Sequence, residues 1–161
     1  MRVERHEDYS HSSAMMIVDR STRLEAPSDA VWAAVKTPAA FRTVTRGLLT
    51  MPAIATRTDE WHEGEVVVGW VFLFGFIPFS HHHLRVSAID ASTRTLSSRE
   101  HGGLIKTWNH DIIVTPLDAT TCEYRDRIEI DAVILTWLVG LYARGFYAMR
   151  QRRWRALAKE L

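Results

Sequence analysis

A single cysteine, Cys122, in 161 residues removes two structural classes at once. One thiol can build neither an intramolecular disulfide framework nor a multi-thiolate metal site, and such sparing use fits a reducing, cytoplasmic compartment. An excess of charge of either sign is also missing: 20 Lys and Arg stand against 19 Asp and Glu, a formal net charge of +1. So weak a field gathers neither phosphates nor anionic lipid from a distance, and no nucleic-acid partner is expected. Met1 to Ser13 lacks the apolar segment of a secretory signal and reads as a flexible polar leader. Long hydrophobic runs are scarce. Val66 to Phe79 is too short for a bilayer span and Ala132 to Met149 is broken by Arg144 and two glycines, so both read as core elements and no integral span is expected. Without repeats, low-complexity tracts or Pro/Gly/Ser linkers, residues 14–161 read as one domain, and 47% hydrophobic content suffices for a substantial core.

What the chain does have is a succession of periods. Met16 to Glu25 alternates Val18, Arg20, Thr22 and Leu24 against Asp19, Ser21, Arg23 and Glu25, the pattern of a half-buried strand. Ala26-Pro27-Ser28 stops it; Ser28 is placed to cap a helix over Asp29 to Lys36, and Pro38 opens a second short helix through Phe41 and Val44. Strands are then predicted near Glu65–Phe74, Phe79–Asp90, Thr95–His101, Ile105–Pro116 and Thr121–Asp131, joined by connections short enough for antiparallel hairpins. Pro52 restricts Leu48 to Ala55 to an edge strand or a loop. After Asp131 the period becomes helical to Leu161. Leu135, Leu138, Tyr142, Phe146, Met149 and Ala156 then share one face, and Gly140 and Gly145 mark close approach of backbone or ligand. A sheet with one apolar face needs a cover, and this long helix is the one available. The expected fold is α+β: a curved antiparallel sheet of six or seven strands, two short helices, and a long C-terminal helix across the sheet.

Strand alternation assigns faces. Asp126 falls inward with Cys122, Tyr124, Ile128 and Ile130, and His110 with Trp108, Ile112 and Val114. The same reading sends His82 inward with Leu84 and Val86, Glu100 with Leu96 and Ser98, and Arg20 from the first strand. An unpaired buried charge costs roughly several kcal/mol, so such groups demand partners. His110 and Asp126, on neighbouring strands, are the natural pair: the carboxylate fixes the tautomer and leaves the other ring nitrogen to meet a ligand oxygen or to move a proton. The alternative is an inert pair that ties the sheet together. In the run His81-His82-His83, His81 and His83 share a strand face, with His101 or Glu100 as a third ligand across the sheet. Surface histidines are the commoner case, so no metal site is expected. Trp70, Phe72, Trp108, Tyr124, Tyr142 and Phe146, with Leu138 and Met149, supply walls for either a cavity or a filled core. Arg144, Arg150, Arg152, Arg153, Arg155 and Lys159, interleaved with Tyr147 and Trp154, read as a solvated face favoured by the helix dipole, peripheral contact with an anionic membrane being the alternative.

The segment Thr22-Arg23-Leu24-Glu25-Ala26-Pro27 followed by Val31-Trp32 resembles the first strand and helix of the START/Bet v 1-like superfamily, also called SRPBCC or polyketide cyclase and lipid-transport-like. Trp108-Asn109-His110 and Thr121 through Asp126-Arg127-Ile128, closed by an Arg-rich helix end, resemble a bacterial ligand-binding branch, and the likeness spans roughly residues 16–161. The resemblance implies a helix-grip fold with a cavity between sheet and helix. Different members use it for lipids, sterols, polyketides, plant hormones or aromatic metabolites; some catalyse cyclisation or dehydration, others only carry a ligand. No motif here matches a known catalytic set residue by residue, and a fold does not choose among these uses. The expectation is binding of a hydrophobic small molecule (lipid, polyketide or aromatic metabolite) without a cofactor. The ligand-facing set is Arg20, Trp70, Phe72, His82, Glu100, Trp108, Tyr124, Leu138, Tyr142, Phe146 and Met149. The alternatives are a cyclase- or dehydratase-like enzyme with His110 and Asp126 as its catalytic pair, and a protein-interaction module.

Overall fold

The computed structural model describes residues 15–134 and 136–161; the leader 1–13 and the helix-face residue Leu135 lie outside the described residues. Seven strands form one antiparallel sheet in the order β1-β7-β6-β5-β4-β3-β2. They are β1 (Met16–Leu24), β2 (Leu49–Thr50), β3 (Val66–Leu73), β4 (Ile77–Asp90), β5 (Thr95–Gly102), β6 (Ile105–Pro116) and β7 (Cys122–Ala132). The helices are α1 (Ser28–Val35), α2 (Pro38–Thr45) and α3 (Thr136–Leu157). From β4 to β7 each strand pairs with its predecessor through a short turn, and β1 closes against β7. Register shifts interrupt four of these pairings, at Val71/Phe72, Val86/Ala88, Glu100/Gly102 and Ile105/Thr107. An extra residue on one strand bends it and strengthens its twist, so repeated bulges curl the sheet around α3. The result is the helix-grip α+β architecture.

Local chemistry explains the short elements. Pro38 occupies the first turn of α2, where its missing N–H is no loss, and Thr37 caps the helix by accepting a hydrogen bond from Ala40 N at 3.1 Å. Ser28 does not cap α1: it lies inside the helix and buried, with Pro27 at the cap position and no side-chain cap. Leu49–Thr50 is a two-residue edge strand on β3, stopped by a 3-10 turn that begins at Pro52.

The buried face of α3 differs from the expected one. Gly140, Ala143, Phe146, Tyr147, Arg150, Gln151 and Trp154 are buried, whereas Leu138 is 46% and Met149 40% exposed and Ala156 faces outward. Apolar side chains surround the first half of this helix: Trp137 and Leu141 are exposed too. Periodicity alone therefore does not select the rotation of the helix. Contact with β1 does. A Cβ on Gly140 would lie 1.6 Å from Met16 Sδ, so the small residues Gly140 and Ala143 are where α3 settles on β1. Gly145 has open space beside it and is not a point of approach. Two apolar clusters result. One joins α1, α2 and the end of α3, including Trp32, Trp61 and Trp154; the other places Ala143, Phe146 and Tyr147 over Val18, Ile128 and Ile130.

Candidate functional site

Between the curled sheet, α2 and α3 lies a two-lobed cavity. The outer lobe, about 730 Å³ with its open mouth, is walled by apolar groups such as Leu49, Val71, Ile105, Val139 and Phe146. The inner lobe, about 470 Å³ with its own open side, lies towards α1 and the end of α3 and includes Val35, Trp61, Leu96, Arg150 and Trp154 in its walls. Phe41, Leu84, Glu100 and His110 line both lobes and form a waist between them. Two histidine–carboxylate pairs meet there, because alternate residues of β4, β5, β6 and β7 point to the concave face.

In the first pair, His110 Nε2 lies 2.9 Å from Asp126 Oδ1. Their strands are neighbours, with His110 opposite Ile128, so Asp126 is one inward-facing position along. Asp126 is completely buried behind the histidine and does not itself line the cavity. Tyr124 Oη donates to Oδ1 at 2.9 Å, Gln151 Nε2 donates to Oδ2 at 3.3 Å, and Arg150 Nε lies 3.8 Å from Oδ1. Burial alone would raise the Asp126 carboxyl, but the Arg150 charge and the hydrogen bonds from His110 and Tyr124 outweigh it and hold the group below the usual carboxylate range. An ionised Asp126 can only accept, so it fixes the tautomer in which the imidazole donates from Nε2–H. That leaves Nδ1 as the free ring atom, with no hydrogen-bond partner among the described residues. The ring of Tyr147 packs edge-on against the imidazole at 5.1 Å.

The second pair is closed. His82 Nε2 lies 3.0 Å from Glu100 Oε2, and Ser80 Oγ lies 3.1 Å from His82 Nδ1, so both ring nitrogens are occupied. Ser98 Oγ donates to the other carboxylate oxygen, Glu100 Oε1, at 2.5 Å. Burial pushes the Glu100 carboxyl up, and the contacts with His82 and Ser98 bring it below its ordinary value.

The expected ligand-facing residues divide. His82, Glu100, Trp108, His110, Tyr142 and Phe146 line the cavity. Trp108 also donates from Nε1 to Tyr147 Oη at 3.3 Å. Tyr124 is fully buried beneath the site and supports Asp126 instead of lining the cavity. Arg20 is exposed: on the edge strand its side chain leaves the sheet, and Gln151 binds its backbone carbonyl at 2.7 Å. Trp70 and Phe72 take the opposite phase of β3 to the cavity walls Val71 and Leu73; Trp70 is 51% exposed and packs edge-on against His81. Leu138 and Met149 border only an open groove on the flank of α3. His83 and His101 stack at 4.8 Å on the outer face, and among the described residues no group of three or more His, Cys, Asp or Glu is placed to hold a metal. Nor, among those residues, is any helix long and apolar enough to cross a membrane.

Sequence reasoning missed Ser80, Tyr147, Arg150, Gln151 and Trp154. The spacing of Tyr147, Arg150 and Trp154 is helical and marks a face, but Arg150 is embedded in the basic run that reads as solvated. Ser80 alternates with His82 and was legible as its neighbour on the same face.

A family model described as a domain of unknown function, DUF8410, matches residues 22–159, which contain every cavity residue named above. The chain belongs to that family. A comparison with curated proteins finds none that matches this DUF8410 domain. Its fold is shared with solved structures of low sequence identity. A norcoclaurine synthase from Thalictrum flavum, in complex with dopamine and hydroxybenzaldehyde, is 14% identical with a TM-score of 0.68 over 99% of this chain and 95% of that one. The Zhui aromatase/cyclase from Streptomyces sp. R1128 is 11% identical, TM-score 0.70, over 91% and 94%. A START superfamily protein from Mycobacterium smegmatis is 8% identical, TM-score 0.63, over 89% and 97%. At these identities the likeness is one of fold.

Proposed function

We propose that this DUF8410 domain binds a small hydrophobic molecule in the two-lobed cavity, with His110 meeting a polar atom of that molecule at the waist. The observation that carries this reading is the free Nδ1 of His110, the one ring nitrogen of the two pairs without a protein partner, set in walls that are largely apolar beside the closed His82–Glu100 pair. Apolar walls with a few convergent polar groups suit a hydrophobic ligand whose orientation is set by one or two hydrogen bonds. Two relatives of the same fold, one described in complex with dopamine and hydroxybenzaldehyde and one as an aromatase/cyclase, support a small-molecule use of such a cavity.

The same atom favours a second reading, acid–base catalysis of the cyclase or dehydratase kind. With Nε2–H donated to Asp126, Nδ1 carries a lone pair; a proton taken there makes an imidazolium that the buried carboxylate stabilises. His82 offers no such atom.

Fluorescence of the neutral reporter N-phenyl-1-naphthylamine tests the cavity. Binding to the full chain is expected, and Val139→Trp, which fills the outer lobe from the half-buried side of α3, weakens it roughly tenfold at unchanged thermal stability. An unaltered affinity in that variant overturns the reading. For catalysis, His110→Gln abolishes turnover of candidate substrates while reporter binding persists; turnover that survives removes the second reading.

A further inference from the structure

The two ends of the strand meander differ in chemistry. At one end the β4–β5 and β6–β7 turns are polar: Asp90 Oδ1 accepts from Ser92 N at 2.8 Å and Asp118 Oδ1 from Thr120 N at 2.9 Å, the usual way a turn is held in water. At the other end lie the β3–β4 turn, the β5–β6 turn and the entry into α3, and their exposed side chains are apolar. The first turn presents Phe74, Phe76 and Ile77, with Phe76 74% exposed, and the second presents Leu104. Val133, Ile134, Trp137 and Leu141 follow from the entry into α3 and its first turns. Phe74 adopts φ 55°, a left-handed conformation that favours glycine, so the turn itself gives no reason for a bulky apolar group there. These pieces form one surface. Phe74 N donates to Leu48 O at 2.9 Å, its side chain faces Leu138 and Leu141 across the open groove, and Val133 N donates to Leu104 O at 2.9 Å. Leu73, Ile105 and Val139 in the walls of the outer lobe adjoin Phe74, Leu104 and Leu138 in the chain, so this surface borders the mouth of the cavity.

We propose that this end of the molecule docks on an anionic lipid bilayer, with Phe74, Phe76 and Trp137 entering the interface and Arg46, Lys106 and Arg144 meeting headgroups. A contiguous exposed apolar surface calls for a partner, and charge decides which. Segments 66–84, 101–110 and 132–159, which carry the surface, contain no Asp or Glu. Their exposed cations include Lys106 and Arg144, and Arg46 is exposed beside Leu48. Asp131, the acid nearest to Val133 along the chain, is half-buried and already engaged. Aromatic tips with a basic border fit the boundary between headgroups and acyl chains, where each cation near an anionic surface is worth about fivefold in affinity. The same charges disfavour a second copy of the chain, because a two-fold contact sets the cations of one rim against those of the other. The Arg-rich second half of α3 is a different region and is largely occupied: Arg150 is buried, Arg153 donates to the carbonyls of Val44 and Arg46, and Arg155 donates to Thr22 Oγ1. Docking does not depend on the ligand-binding reading. Combined with it, docking sets the cavity mouth against lipid, so a hydrophobic ligand passes between bilayer and outer lobe without crossing water.

Co-sedimentation of the full chain with vesicles tests this, using phosphatidylcholine alone and a mixture of about 7:3 phosphatidylcholine to phosphatidylserine. Binding to the mixed vesicles is expected, roughly tenfold tighter than to the neutral ones. Phe76→Asp is expected to weaken it about tenfold, whereas Leu117→Asp, the same kind of change at an exposed position on the polar end of the sheet, leaves it within about twofold. Lys106→Gln combined with Arg144→Gln is expected to cut binding to the mixed vesicles about tenfold and leave neutral vesicles unchanged. All these side chains are exposed, so thermal melts should match the wild type. A wild type that does not bind the mixed vesicles overturns the docking surface, and so does an equal loss in Leu117→Asp and Phe76→Asp. A dimer that Phe76→Asp dissociates, in the absence of vesicle binding, replaces it with a contact between copies. Binding of N-phenyl-1-naphthylamine, measured without vesicles, keeps the two readings apart: reporter binding without vesicle binding leaves the cavity reading alone standing, and the reverse leaves only the docking surface.

Discussion

The two histidine–carboxylate pairs share a cavity and differ in what surrounds them. His82–Glu100, on β4 and β5, is buttressed by hydroxyls: Ser80 occupies the second ring nitrogen and Ser98 the second carboxylate oxygen. His110–Asp126, on β6 and β7, is buttressed by the C-terminal helix, with Arg150 and Gln151 closing over the carboxylate and Tyr124 beneath it. The Glu100 side chain retains 14% exposure on the cavity side, whereas Asp126 has none. The first pair thus has every ring nitrogen and carboxylate oxygen occupied, with its acid still partly exposed; the second has a fully enclosed acid and one ring nitrogen without a partner. A ligand finds a free imidazole atom only in the second. The chemical pair is the same, and its role is set by the neighbours each element supplies.

Truncating the acids should expose the difference most strongly. Asp126→Ala leaves the buried Arg150 guanidinium without its carboxylate and is expected to cost about 3–5 kcal/mol in urea unfolding. Glu100→Ala, at a site that cavity water can reach, is expected to cost about 1–2 kcal/mol. Equal losses would erase the distinction between a helix-locked and a hydroxyl-locked pair.

Acid titration provides a smaller effect of known sign. Both carboxyls are held below their ordinary range in the fold, so each contributes stability that is complete above its unfolded value, about 4, and is lost as the pH falls through the lowered folded-state value. Urea midpoints measured from pH 7 to pH 3 should fall on the acid side for the wild type. The fall should be shallower in Asp126→Asn and Glu100→Gln. An acid limb identical to wild type in both variants would show that other carboxyls govern it.

The smallest change converts one pair towards the other. Ser80→Ala frees Nδ1 of His82 at an expected cost of about 1 kcal/mol. Nitrogen-15 NMR should then show the His82 Nδ1 resonance shift on addition of 2-acetonaphthone, as that of His110 is expected to shift in the wild type. A wild-type His82 that already responds like His110 would contradict its closed environment.

The site was legible where polar and apolar residues alternate. In β7 the inward run Cys122, Tyr124, Asp126, Ile128 and Ile130 contrasts with charged outward neighbours, and Trp108, His110, Ile112 and Val114 do the same in β6, so the placement of His110 beside Asp126 could be read from order and phase. β3 gave no such contrast. Its run Val66–Leu73 is apolar on both faces, and a bulge at Val71/Phe72 shifts the pairing, so choosing Trp70 and Phe72 over Val71 and Leu73 selected the outer face. Arg20 had the inward phase but sits on an edge strand, where a long side chain escapes to solvent. The pairing of His82 with Glu100 needed a register across β4 and β5 that a bulge displaces, information the individual strands do not contain.

By itself the sequence determined the strands, their order along the chain and the inward phase of the last two, because a period of two with strong polar contrast is a local property. The rotation of α3 was decided in three dimensions. A helix with apolar groups on every side of its first half buries similar area in several orientations, and the close fit of Gly140 and Ala143 on β1 selects one of them. That choice carries Arg150 and Trp154, two to four turns further along, out of an apparent solvent face and into the buried wall of the cavity.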